Sequence, residues 1–191
     1  MLPSLRASEA LALALALAHP PKQTVAKATK RQHLRFDSKN AKPVANNKIL
    51  QGAAYIIDGD SLVIKKTQVR LFGIDAPELD HPYGKKAKWA LLSLCKGQVI
   101  RAEVSATDTH GRTVAKCYLP DGRDLSAEMV KAGLAIDWPK FSGGVYSAQE
   151  LPGIRKKLWL ADARQKGQMH VWTRFEVQQK AKSANLSKKS S

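Results

Sequence analysis

The sequence has little cysteine: Cys95 and Cys117 are the only two among 191 residues. Two cysteines without metal-like spacing indicate neither a disulfide-built scaffold nor a zinc site. Both lie in apolar segments, LLSLCKG and VAKCYL. We therefore expect buried free thiols, the usual state of unpaired cysteine; if the chain is exported, pairing of the two stays open.

The sequence also lacks a convincing membrane anchor. Residues 11–18 read LALALALA, far short of the roughly 20 apolar residues that a membrane helix needs. The run follows Arg6 and ends in Ala16-Leu17-Ala18, which resembles a signal-peptide core with its cleavage pattern. Glu9 argues against that interpretation, and a short helix or a mistaken start codon is the alternative. We predict a secreted or periplasmic protein without stable membrane insertion, a cytoplasmic one being the alternative.

Acidic residues are scarce: 16 Asp and Glu stand against 32 Lys and Arg, a formal net charge of +16. The excess is densest at the ends, with nine basic against two acidic residues in 1–48 and four against one in 176–191. Such a bias attracts polyanions, most commonly nucleic acid. Solvated surface lysines are the alternative interpretation.

Composition divides the chain into three parts. Residues 1–48 combine the signal-like segment with a basic linker that has few large apolar residues, and residues 176–191 form a similar basic tail. Neither end can bury enough surface to offset its ordering, so both are expected to be flexible. Residues 49–175 carry the regular pattern of one domain, with no visible internal repeat.

Alternating apolar residues and turn signals predict five strands, at 53–58, 61–66, 68–75, 98–104 and 113–119. Helical spacing predicts helices at 84–96 and 125–135, and a helical segment at about 149–170 that Pro152-Gly153 interrupts. Three strands, a helix, two strands and further helix are the order of an OB-fold. We predict an α+β, mainly β fold: a five-stranded OB-fold barrel with two or three added helices.

Four acidic residues lie in or beside predicted strand ends: Asp58, Asp60, Asp75 and Glu78. Antiparallel strands joined by a tight turn can bring Asp60 near Asp75. A carboxylate cluster of this kind suits a hard cation such as Ca²⁺ or Mg²⁺. Ordinary turn formation by Asp-Gly and Asp-x-Pro is the alternative.

Two arginines lie in or next to apolar strands. Arg70 is part of VRLFG, and Arg112 follows Gly111 at the start of another strand. A guanidinium is a planar fork that matches two phosphate oxygens. The alternative is a structural salt bridge to one of the carboxylates.

Several separated motifs together resemble the staphylococcal nuclease-like family. They are DGDSLVI, VRLFGIDAPE, DTHGR, a G-x-D-L turn and EMVKAGLA, in that order. The family's usual forms are DGDT, VRLxGIDTPE, DxYGR and a helix ending in GLA. The match covers about residues 53–138 and extends less surely to Trp172. The resemblance implies an OB-fold and a Ca²⁺-dependent nuclease that cleaves both DNA and RNA and leaves a 3′-phosphate.

The resemblance also implies a metal site. Asp60 and Asp75 match the family's ligand carboxylates. The next position, usually Thr, supplies a backbone carbonyl to the metal and is Ala76 here. A backbone ligand survives this change, whereas a hydroxyl contact would not.

Three further positions match the family's catalytic residues. Glu78 corresponds to the acid that acts on the attacking water, as base or as positioner, and Arg70 and Arg112 correspond to the phosphate-binding arginines. Asp108 matches a structural Asp of the preceding loop, and His110 replaces the usual Tyr.

Beyond residue 138 the fit loosens. Trp138, Phe141 and Tyr146 can stack on a nucleobase, and packing of aromatic side chains against the barrel is the alternative. The family's last helix ends in a tryptophan. Either Trp159 or Trp172 can correspond to that residue, and we prefer Trp172.

The sequence thus favours a monomeric Ca²⁺-dependent nuclease whose partner is its nucleic acid substrate. The alternative is a non-catalytic OB-fold module that binds nucleic acid or protein. The presence of the site acids together with both arginines argues against that alternative.

Overall fold

The structure, a computed structural model, describes residues 42–43, 48–107 and 111–189. Nearly all of the signal-like segment and basic linker expected over residues 1–48 lies outside the described residues. Asp108 and His110 also lie outside them.

The described residues form eight strands. They are β1 (Lys42–Pro43), β2 (Ile49–Ile56), β3 (Ser61–Ile64), β4 (Thr67–Leu71), β5 (Ile74–Asp75), β6 (Val99–Thr107), β7 (Thr113–Tyr118) and β8 (Ile136–Asp137).

Five of these strands close into a barrel. β2 pairs with β3 and β6, β3 pairs with β4, and β6 pairs with β7, all antiparallel. β4 and β7 complete the circle as parallel neighbours. β5 and β8 form a separate two-stranded sheet. A closed five-stranded barrel with added helices is the α+β OB-fold architecture that the sequence predicts. That prediction is confirmed.

Two helices lie between strands, and further helices dominate the last third of the chain. The described helices are α1 (Gly84–Cys95), α2 (Leu125–Lys131), α3 (Pro139–Ser142), a 3₁₀ turn (Ser147–Gln149), α4 (Ile154–Lys157), α5 (Trp159–Gln165) and α6 (Met169–Lys189). None of them is long and apolar enough to cross a bilayer.

α1 packs against the barrel through one apolar face, which is why its apolar residues recur at helical spacing. Ala87, Leu91 and Cys95 are buried on that face. A Cβ on Gly84 would lie 1.7 Å from the Glu78 carbonyl oxygen. A glycine at the start of α1 therefore lets the segment that carries Glu78 cross the helix at close range.

Both thiols are in the interior, as expected from the sequence. Cys95 is 4 % exposed, Cys117 is 0 % exposed, and both are free. Burial raises the pKa of the Cys95 thiol to about 12 and shifts that of Cys117 in the same direction. The thiolate, which is the reactive form, is thereby disfavoured at neutral pH.

Two predicted strands are shorter than the pattern indicated. The strand expected at 61–66 ends at Ile64, because Lys65 and Lys66 have φ of 47° and 68° and form the tight turn into β4. The strand expected at 68–75 is divided into β4 and β5, with Gly73 at φ 71° between them. That break turns the chain out of the barrel and into the two-stranded sheet.

The C-terminal segment departs from the sequence prediction. The segment expected as a flexible tail, residues 176–191, overlaps α6, which continues to Lys189. The segment has no proline or glycine and many good helix formers, so a helix anchored by buried Trp172 can propagate through it. The preference for Trp172 is consistent with this packing: Trp172 is 4 % exposed and Trp159 is 39 % exposed.

Candidate active site

The turn between β2 and β3 delivers the first two carboxylates. Asp58 Oδ1 accepts a hydrogen bond of 3.1 Å from the backbone N–H of Asp60, which is the turn chemistry that Asp-Gly predicts. A Cβ on Gly59 would lie 2.6 Å from the Ala87 Cβ on α1. Close packing against α1 thus fixes the turn and the direction of Asp60.

Asp60 is held by Arg70 of β4. The sheet register sets Ser61 opposite Arg70, and the two Arg70 Nη atoms bond the two Asp60 oxygens at 3.1 and 2.9 Å. The backbone N–H of Ala76 donates to Asp60 Oδ2 at 3.2 Å. The structural salt bridge considered for Arg70 is therefore present, and it places the guanidinium among the site acids.

Asp75, in β5, is fully buried and contacts a third element. Its backbone pairs with Ile136 of β8. Arg164 of α5 donates from Nε to Asp75 Oδ2 at 3.0 Å and from Nη2 to Oδ1. Arg70 Nη2 lies 3.7 Å from Asp75 Oδ1. Asp75 is thus the carboxylate that the two guanidinium groups share.

The same Arg164 side chain reaches two more atoms of the 75–78 segment. Nη2 donates to the Ala76 carbonyl oxygen at 3.2 Å, and Nη1 donates to Glu78 Oε1 at 2.5 Å. Arg164 lies 5.0 Å from the ring centroid of Trp172, within cation–π range. The Arg164 guanidinium therefore bonds Asp75 and Ala76, which the sequence assigns to the metal, and Glu78, which it assigns to the attacking water.

Sequence reasoning missed Arg164. Its contacts with Asp75 and Glu78 join residues 86 or more positions apart. The available signal is local: Arg164 is flanked by buried Ala161 and Ala163 on a short helix. A basic residue on an apolar helix face has to find an acceptor.

Four carboxylates of the site exceed its two guanidinium groups by two formal negative charges. Burial opposes ionisation of Asp60, but the positive charges of Arg70 and Arg164 outweigh it and hold the pKa of Asp60 below its usual range. Burial and the neighbouring Asp60 charge raise the pKa of Asp58 to about 6. Asp60 is therefore firmly ionised, whereas its neighbour Asp58 titrates closer to neutral pH.

Glu78 and Arg164 are both shifted by the low polarity around them. Burial, followed by the charges of Asp60 and Asp58, raises the pKa of Glu78 to about 8, and Arg70 acts in the opposite direction. Burial and the nearby Arg70 charge lower the pKa of Arg164 to about 10. Arg164 therefore stays charged at neutral pH.

The donor set fits a hard divalent cation. Two buried carboxylates, Asp60 and Asp75, and the Ala76 carbonyl are oxygen donors of the kind that Ca²⁺ takes, and a divalent ion would balance the negative excess. Within the part of the chain that the structure describes, no three His, Cys, Asp or Glu side chains form a ready metal cluster. Guanidinium nitrogens of Arg70 and Arg164 contact these oxygens instead.

Arg112 approaches the site from the start of a neighbouring strand. It immediately precedes β7, whose Thr113 pairs with Val69 of β4, the residue before Arg70. The parallel pairing brings the start of β7 alongside the strand that carries Arg70. Arg112 is partly exposed.

An apolar cavity of about 230 Å³ adjoins Arg70, and Trp138, Phe141 and Lys140 are among the residues that line it. The Trp138 and Phe141 rings meet edge to face with centroids 4.8 Å apart, and both side chains are partly exposed. Trp138 and Phe141, which are predicted to stack on a base, thus share this cavity with Arg70, a candidate for binding phosphate.

Tyr146 does not belong to that cavity. It is 4 % exposed, packs with the barrel core, and donates its hydroxyl hydrogen to Asp124 Oδ2 at 2.8 Å. Of the two interpretations of Tyr146, packing of the ring against the barrel is the one that matches its position in the interior.

The sequence matches the profile of one protein family over residues 68–173, more than half of the chain. That family is described as staphylococcal nuclease homologue. The chain belongs to this family. The matched region begins in β4 and ends just after Trp172, so it includes Arg70, Asp75, Glu78 and Arg112 together with Arg164 of α5.

Individual relatives share about a third of their aligned residues with the chain. A probable staphylococcal-like nuclease of Oryza sativa subsp. japonica is 37% identical over 111 residues, 56% of this chain and 33% of the relative. A succinoglycan biosynthesis protein of Rhizobium meliloti is 31% identical over 110 residues, 52% and 58% of the two chains. An uncharacterized endonuclease of Escherichia coli O157:H7 is 33% identical over 91 residues, 46% and 60%. The chain thus spans a third to three fifths of the length of these relatives.

Proposed function

We propose that the chain is a Ca²⁺-dependent nuclease that hydrolyses phosphodiester bonds of DNA and RNA. The observation that carries this proposal is the buried pair Asp60 and Asp75 beside Arg70, with partly exposed Glu78 nearby on Arg164 and an aromatic cavity adjoining Arg70. The names of the relatives, which include nucleases and endonucleases, support the same reaction class.

Substrate charge is the main obstacle to the reaction. A phosphodiester is anionic, and its transition state concentrates further negative charge on the phosphoryl oxygens. Arg70 is already fixed by its bonds to Asp60, so its positive charge is preorganised where that charge develops. A Ca²⁺ ion held by Asp60, Asp75 and the Ala76 carbonyl would act as a Lewis acid on the same group.

Arg112 is the second candidate for the phosphate. Its position at the start of β7, beside β4, allows a guanidinium to approach the phosphoryl group from a different strand than Arg70. A planar fork can hold two phosphate oxygens at once, so it restricts orientation as well as supplying charge.

Glu78 would orient or deprotonate the attacking water. Its burial and acidic neighbours raise its pKa to about 8, so the ionised form that can accept a proton from water grows as the pH rises toward that value. The carboxylate is positioned from two sides, since the close approach of Gly84 fixes its backbone and Arg164 bonds Oε1.

The cavity next to Arg70 would take a nucleobase. Trp138 and Phe141 offer apolar ring surface, and stacking does not discriminate strongly between bases. Nothing in this arrangement requires a 2′-hydroxyl, so DNA and RNA should both be substrates.

The test is cleavage of a single-stranded DNA and of the RNA with the same sequence, each with added Ca²⁺. We expect both to be cut at comparable rates and to leave 3′-phosphate ends, as mass spectrometry of the products would reveal. Binding of both strands without cleavage of either would instead support the non-catalytic OB-fold module.

A further inference from the structure

Arg164 bonds two of the oxygen atoms that the proposed function assigns to the metal. Its Nη2 atom bonds both Asp75 Oδ1 and the Ala76 carbonyl oxygen, at 3.2 Å for the latter, and Nη1 bonds Glu78 Oε1. Asp75 and the Ala76 carbonyl are two of the three donors proposed for Ca²⁺. The guanidinium and the metal therefore compete for the same oxygen atoms.

We propose that Arg164 is a built-in competitor of the metal: it neutralises the acids of the metal-free site, and it must give up Asp75 and the Ala76 carbonyl when the metal binds. The proposal rests on the proposed function for the identity of the metal. It adds a residue of α5, outside the motifs that suggested the site, as a determinant of metal affinity.

Electrostatics favours the exchange at the two donors that Arg164 and the metal would share. Two cations that share one carboxylate repel each other strongly in a poorly hydrated site, where the effective dielectric constant is far below that of water. The Asp75 side chain is 0 % exposed and the Arg164 side chain 19 % exposed, so solvent screens little of that repulsion.

The metal-free protein in turn needs a cation at this place. Removing one partner of a buried ion pair leaves an uncompensated charge, which destabilises a fold strongly. Without Arg164, the cation paired with Asp75 among the described residues is Arg70, whose Nη2 lies 3.7 Å from Asp75 Oδ1. Arg164 therefore stabilises the metal-free fold and, by the same contacts, weakens the apparent affinity for metal.

A nearby arginine provides the matched control. Arg155 of α4 bonds Glu150 at 2.6 and 2.9 Å and Asp162 at 3.3 Å. It is likewise held in an ion-pair network of the C-terminal helices, but its partners in the described part of the chain include none of the proposed metal donors. Loss of Arg155 should change stability without changing metal binding.

The experiment measures Ca²⁺ binding by calorimetry, and melting temperature with EGTA and with Ca²⁺, for the full chain. The variants are Arg164→Met, Arg164→Lys and the control Arg155→Met. We expect Arg164→Met to melt lower than the wild type in EGTA and to bind Ca²⁺ roughly tenfold more tightly, about 1.4 kcal/mol of removed competition. Its Ca²⁺-induced rise in melting temperature should exceed that of the wild type.

Arg164→Lys tests the proposal even if the methionine variant fails to fold in EGTA. Lysine keeps one positive charge but cannot bridge Asp75 and Glu78 with a fork, so its affinity for Ca²⁺ should lie between those of the other two proteins. Arg155→Met should bind Ca²⁺ as the wild type does.

Equal or weaker Ca²⁺ binding by the Arg164 variants would overturn the competition, and would make Arg164 a support of the metal site. Cleavage by the wild type in excess EGTA would overturn the proposed metal dependence instead. The binding and cleavage measurements therefore separate the two failures.

Discussion

Charged side chains of alternating sign cross the site in the order Glu78, Arg164, Asp75, Arg70 and Asp60. Burial of such charges is tolerable because each carboxylate meets at least one guanidinium and each guanidinium meets two carboxylates. The arrangement also preorganises positive charge beside an acidic centre, which is what attack on a phosphodiester requires.

Replacement of Arg112 by lysine tests the role of the second arginine. Lysine keeps the charge but loses the fork that can hold two phosphate oxygens. If Arg112 grips the transition state, kcat and kcat/KM should fall together, by roughly 10²–10³-fold. Steady-state cleavage of one oligonucleotide measures both constants.

Arg123→Lys is the matched control for that substitution. Arg123 is exposed and pairs with Asp121 and Glu128 on the surface, where an ion pair contributes little. It should leave both constants near the wild-type values. An unchanged kcat in Arg112→Lys would mean that Arg112 has a structural role instead.

At the residue scale, the sequence predicts those site residues that belong to local motifs. Asp60, Arg70, Asp75 and Glu78 lie within 19 consecutive positions, so the strand pairing that joins them follows from two short turns. Arg164 could not be predicted in the same way. Its contacts depend on how α5 packs against the barrel, a long-range arrangement that no local pattern encodes.

Among the elements, the α5–α6 pair determines where Arg164 points. Trp172 of α6 donates its indole N–H to the Leu160 carbonyl oxygen of α5 at 2.7 Å. Its ring packs with Leu160 and Ala163 and lies against the Arg164 guanidinium. α6 therefore acts as a brace that holds α5 and its arginine toward the acids.

Truncation of Trp172 should reveal that brace. Trp172→Ala removes a buried ring and its hydrogen bond, so it should lower the free energy of unfolding by ~3–5 kcal/mol. Trp159→Ala is the control, because Trp159 is 39 % exposed and should cost much less. Denaturant unfolding monitored by circular dichroism measures both, and equal losses would refute the brace.

At the element scale, the sequence predicted the barrel strands and α1 because alternation and helical spacing are strong signals there. It placed the end of β3 too late, since two lysines give no hint of a left-handed turn. It also took a polar composition over 176–191 as a flexible tail. Composition alone does not reveal that Trp172 anchors a helix, and that this helix can extend through the polar helix-forming residues that follow.

For the whole molecule, closure of the barrel is what makes one site from separate segments. β4 and β7 become neighbours only when the ring of five strands closes, and this brings the start of β7 toward the strand of Arg70. The formal net charge of +16 gives the chain a long-range attraction for polyanions, which favours encounter with nucleic acid at low salt. The overall charge thus contributes to the encounter with nucleic acid, whereas the buried acids contribute to the chemical step.

The most direct test of the account is single-strand DNA cleavage by the metal-stripped full chain, before and after Ca²⁺ is restored. The proteins are the wild type, Asp75→Asn and the control Asp162→Asn. Asp162 is an acid of the same helix as Arg164 that pairs with Arg155 and Lys166, away from the proposed metal donors. We predict that wild type and Asp162→Asn regain activity with Ca²⁺, whereas Asp75→Asn stays at least about 10²-fold slower. Full wild-type activity after stripping, or wild-type rates in Asp75→Asn, would contradict the account.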